Sequence, residues 1–100
     1  MKFKKGNTYT LDVEISNINI EDISKIVFKF GDIEKEYNSE EQGEVIYVDN
    51  KFIVSFSQEE TLNFKKEVQI EVAIKFIDNS VKRSPIYSVY SLDTIIEEVI

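Results

Sequence analysis

The 100-residue chain has no cysteine, no histidine and no tryptophan, and only one proline and three glycines. Without cysteine it has neither a disulfide framework nor a thiolate zinc site, which leaves the redox compartment open. Without histidine it lacks the commonest general base near neutral pH and the commonest metal ligand. The three glycines, Gly6, Gly31 and Gly43, are too scattered to form a phosphate-cradling loop. No apolar run approaches about 18 residues, so no helical membrane span is expected. The opening "MKFKK" has no apolar segment of about 7 to 15 residues behind it and does not read as a secretory signal. This inventory predicts a protein that is not an enzyme and carries no metal or cofactor.

What is present is ample apolar material. At 42% hydrophobic and 12% aromatic residues, the chain can build one core at the commonest domain size without covalent staples. The net charge is −7, from 19 acids against 12 bases spread along the chain. That balance predicts a solvated acidic surface and argues against nucleic acid as a partner, because phosphate binding needs a basic face. The expected location is the cytoplasm of the producing cell.

Period-two alternation dominates the chain. From Thr8 to Ser16, Tyr9, Leu11, Val13 and Ile15 face one way and Thr10, Asp12 and Glu14 the other, the pattern of a half-buried strand. After a turn in which Asp22 or Ser24 is positioned to start one helical turn, Ile26, Phe28 and Phe30 resume the alternation. Gly31-Asp32 then leads into Ile33, Lys35 and Tyr37 on one face, a hairpin. The polar stretch 38–44 reads as a surface loop. A second hairpin turns at Asp49-Asn50, two residues that tolerate positive φ, into Phe52, Val54 and Phe56. The longest signal places Val68, Ile70, Val72, Ile74 and Phe76 on one face of a central strand. Asp78-Asn79-Ser80 offers another turn, and a last strand runs from Ile86 to Leu92 with an irregularity at Ser84-Pro85, since proline cannot donate to a ladder.

About seven strands with turn signals every 8 to 12 residues predict an all-β fold, a seven-stranded antiparallel immunoglobulin-like β-sandwich, with a small barrel as the alternative. The domain is expected over residues 1–92, followed by an apolar tail or strand extension over 93–100. "SQEETLNF", residues 57–64, supplies the one short helical turn. Ser57 and Glu60 have the spacing of a capping box, with Leu62 and Phe64 placed to plug the core and Glu59 left in solvent. A glycosidase-type carboxylate pair is the competing reading, but adjacent residues on a capped turn diverge.

Other constellations are weaker. Asp78-Asn79-Ser80 lacks the spacing and distal glutamate of a calcium loop. Glu40, Glu41, Glu44 and Asp49 fit a solvated loop better than a cation site. Phe28 and Phe30 with Lys25 and Lys29 resemble single-strand binders, yet their register makes them core. "VKRS", residues 81–84, is the other basic knot. Tyr87 and Tyr90, together with Ile95, Ile96, Val99 and Ile100, form the candidate interface, since tyrosine is enriched at interfaces and an exposed apolar tail seeks a partner.

The stretches "GNTYTLDVEIS", "DISKIVFKFGD", "FSQEETLNFKKEVQIEVAIKFIDN" and "LDTIIEEVI" together resemble a group of small phage and prophage structural proteins of Gram-positive bacteria. Those proteins open on a similar strand, carry a similar corner before a long penultimate strand, and end in a similar tail. Asn7 stands where that group often has Asp. The resemblance implies an immunoglobulin-like sandwich similar to baseplate N-terminal domains and a virion accessory role, and it brings no catalytic residues. The expected function is therefore a non-catalytic assembly module whose partner is another protein or further copies of itself. The alternative is a carbohydrate- or small-ligand-binding sandwich using Tyr37, Tyr47 and Tyr87.

Overall fold

A strand that alternates apolar and polar side chains satisfies both of its faces only when one face meets a second layer, and this chain builds two such layers. In the computed structural model, residues 2–41, 43–94 and 99 are described, and they are mostly strand. The larger sheet contains β1 (Lys2–Lys4), β3 (Ile23–Phe30), β4 (Ile33–Asn38), β7 (Glu67–Phe76), β8 (Val81–Arg83) and β9 (Tyr87–Leu92). Its path runs β1-β9-β7-β3-β4, with β8 also pairing β7. The smaller sheet has the order β2 (Tyr9–Val13), β6 (Lys51–Phe56), β5 (Ile46–Val48).

The long alternating stretch is central as expected: β7 lies between β3 and the β8/β9 side, antiparallel to all three. The inward set Ile26, Phe28, Phe30, Phe52, Val54 and Phe56 is buried, and these residues meet across the two layers. Both predicted hairpins form. Asp49 and Asn50 take φ of 51° and 64°, the left-handed pair that matches strand twist in a two-residue loop. Gly31, at φ 61°, turns β3 into β4.

Two corrections follow. The described residues hold nine strands rather than about seven, and one pair is parallel: Lys2, Phe3 and Lys4 lie beside Tyr90, Ser91 and Leu92. The arrangement is therefore sandwich-like with a mixed sheet, not an all-antiparallel seven-strand pattern. A three-residue strand with one apolar residue shows no period, so β1 gave no signal, yet Phe3 is fully buried. Its ring packs 4.9 Å from Phe64, 5.5 Å from Phe56 and 5.0 Å from Tyr9. The irregularity expected at Ser84-Pro85 is present: Ser84 N–H donates to Val72 O, Ser84 Oγ accepts from Val72 N–H at 2.9 Å, and pairing resumes at Tyr87. The early turn is a 3-10 turn over Ile20–Asp22 capped by Asn19, ahead of Asp22 and Ser24, the two residues expected to start it.

The capped turn α1 (Gln58–Leu62) is as read from the sequence. Ser57 Oγ accepts from Glu60 N–H and Glu60 Oε1 accepts from Ser57 N–H at 2.9 Å. Phe64 is buried and Leu62 only partly so, while Thr61 is the fully buried member of the turn. Its hydroxyl donates to Asn7 O at 2.8 Å and accepts from Gly6 N–H at 3.0 Å, which ties the helix to the link between β1 and β2.

Candidate functional site

Two places concentrate unusual chemistry, and the first is ionic. Lys35 follows the inward register of β4 and is only 8% exposed. A buried ammonium needs a partner, and it has two. Its Nζ donates to Glu60 Oε2 at 2.7 Å and stands 3.6 Å from Glu44 Oε2, with the Phe56 ring 5.5 Å away. One carboxylate thus serves the cap through Oε1 and the lysine through Oε2, fastening β4 of the large sheet to the turn that follows β6. Partial burial alone would raise the Glu60 carboxyl. The Lys35 hydrogen bond and the Ser57 N–H outweigh it and hold the group below the usual carboxylate range. Glu59 faces solvent, so the two adjacent carboxylates diverge. The inward position of Lys35 was legible in the alternation, but its partners, 9 and 25 residues further along the chain, were not.

The second place is apolar. The three strands of the smaller sheet cannot cover the inner face of a six-stranded one, and the shortfall lies on the β2 side. There Val13, Ile15 and Ile18 face Val72, Ile74 and Tyr87 across an open groove of about 450 Å³. Ile15, Ile18 and Val72 remain part-exposed beside the core, and Tyr87 is 57% exposed although it shares the inward register of Ile70. Two strand edges flank the groove, because β2 pairs only with β6 and β8 only with β7. Lys82, in register with Ile74, places its ammonium 6.0 Å from the Phe76 ring.

The candidate interface residues divide. Tyr87 belongs to the groove, whereas Tyr90 pairs with Glu67 on the outer face, so the two tyrosines do not form one patch. Ile86, Tyr90 and Leu92 are exposed along the same strand region, and so is Val99. Ile95, Ile96 and Ile100 lie outside the described residues. Tyr37 and Tyr47 come together with ring centres 6.4 Å apart, both packed on Phe52. Tyr87 lies three strands from Tyr37 in the sheet order and is level with Ile33 rather than with Tyr37, so the three do not share one binding face. Phe28 and Phe30 are core. Among the described residues no three acidic side chains converge on a metal-holding geometry, and no helix is long and apolar enough to cross a membrane. The groove residues Val72, Ile74 and Lys82 escaped sequence reasoning, because alternation marks an inward face without saying how much of it the opposite layer will cover.

No protein-family model, curated protein or solved structure matches this chain.

Proposed function

We propose that the chain is a non-catalytic protein–protein assembly module, used as an accessory component of a phage or prophage virion. The observation that carries the assembly reading is the run of large apolar side chains left in solvent along the β8–β9 region. Val81, Ile86, Tyr90 and Leu92 are exposed there, and Tyr87 is exposed on the opposite, groove-facing side. Apolar patches of this kind on a small domain mark interaction surfaces. The strongest ionic pair, Lys35 with Glu60, is engaged in holding layers together, which leaves it without a free proton-transfer role. The virion context rests on the resemblance carried by the four stretches quoted above.

Sedimentation velocity over a concentration series tests the assembly reading, using the full chain and a variant with Ile86→Lys and Tyr90→Lys. Association that the lysines weaken is expected. A full chain that stays monomeric at high concentration and captures no product of an adjacent gene would defeat the reading. Portal, capsid or tail genes on either side are expected for the virion role, and metabolic neighbours would remove it.

A further inference from the structure

We propose that the groove between β2 and β8 receives the segment "TIIEEVI", residues 94–100, of a second copy of the chain. The proposal deepens the assembly reading and rests on it. Three observations select this occupant. The first is the backbone: β2 pairs with β6 along one side only, so an extended segment can add to its other edge as a fourth strand of the small sheet. Its alternate side chains would then lie over Val72, Ile74 and Tyr87, the part of the large sheet that the small one leaves open.

The second is charge. Among the described residues Lys82 has no carboxylate partner, because the two other charged groups lining the groove are committed elsewhere: Glu14 pairs with Lys51 at 3.8 Å and Arg83 with Glu71 at 3.7 Å. In extended form, one face of the segment presents Ile95, Glu97 and Val99 and the other Ile96, Glu98 and Ile100. Either face offers two large aliphatic side chains with a carboxylate between them, which complements an apolar groove whose Lys82 ammonium meets the Phe76 ring but no carboxylate among the described residues.

The third is reach. Strand β9 ends at Leu92, beyond the Glu67 end of β7, whereas Val72 and Ile74 lie toward the other end. From Glu67 to Ile74 is about 23 Å along the strand, and residues 94–100 extend at most about 23 Å. A segment that must reverse direction and spend its whole length arriving cannot lie along its own groove. A second copy has no such restriction.

The chain lacks cysteine, so paired single-cysteine variants test the contact directly. Full-chain Ser16→Cys, at the groove lip, is mixed with full-chain Val99→Cys under mild oxidation, with Ser55→Cys on the far face of β6 as the control. A mixed disulfide dimer well above the control level is expected, and no excess over the control overturns the proposal. In sedimentation, Lys82→Glu is expected to weaken self-association about tenfold, and adding Glu97→Lys and Glu98→Lys to restore most of it. Self-association that persists unchanged in Lys82→Glu, without the mixed disulfide, removes the groove while leaving the assembly reading in place. A full chain with no self-association at all removes the second copy as occupant, and the assembly reading then depends on the partner captured from a neighbouring gene.

Discussion

Glu60→Ala removes one carboxylate from two jobs at once. It deletes the acceptor for Ser57 N–H and leaves the Lys35 ammonium, 8% exposed, with only Glu44 at 3.6 Å. Removing one member of a buried ion pair costs about 3–5 kcal/mol because the other charge stays behind unpaired. Here the Glu60 side chain is 28% exposed and the second carboxylate compensates in part. The expected loss is therefore about 2–3 kcal/mol, of which the cap accounts for about 1. For a domain of this size that lowers Tm by about 8–24 °C. Lys35→Met removes the charge that needs a partner and fills the same apolar slot, so it is expected to cost within about 1 kcal/mol. The double variant should lose little beyond the cap, giving a coupling energy of about 1–2 kcal/mol. Urea unfolding followed by far-ultraviolet circular dichroism measures all four species. The reasoning is refuted if Glu60→Ala costs no more than Ser57→Ala, or if Lys35→Met is as damaging as Glu60→Ala.

The same clamp sets an acid limit. Because the folded-state carboxyl titrates below its ordinary 4.5, its contribution is present above that pH and is lost as pH falls through the lower folded value; Glu60→Gln should flatten the acid limb of a stability-versus-pH curve. Phe3→Ala deletes a fully buried ring that touches Tyr9, Phe56 and Phe64 and should cost about 3–5 kcal/mol, enough to leave a large unfolded fraction visible in amide exchange. Ser84→Ala leaves Val72 N–H without its side-chain acceptor and should cost about 1–2 kcal/mol in chemical denaturation. Asn50→Ala places an ordinary side chain at φ 64° and should cost about 1–2 kcal/mol in the same assay.

What could be read from the residues was local. Alternation located β2, β3, β4, β6 and β7 with the inward faces correct, Ser57 and Glu60 announced their capping box, and Asp49-Asn50 announced its turn. What could not be read was pairing between distant segments. Nothing in "KFK" says that it will lie parallel to β9, and nothing in "EETL" says that Thr61 will reach Asn7 or that Glu60 will meet Lys35. Tyr87 and Tyr90, three residues apart, look like one anchor in sequence, but the pleat sends them to opposite faces. The groove arises from the unequal size of two layers, a quantity that belongs to neither segment alone.

The parallel pairing of Lys2–Lys4 with Tyr90–Leu92 also sets an order of events during synthesis. The rings that Phe3 packs against, Tyr9, Phe56 and Phe64, are synthesised before the strand that pairs with its backbone, so β1 has its core contacts available before its sheet partner. Closing so long a loop adds little to the entropy cost, but it makes the final sheet edge a late step in a slow-folding topology. Until then the edge of β7 that β9 covers stays unpaired, the kind of open strand edge that invites aggregation.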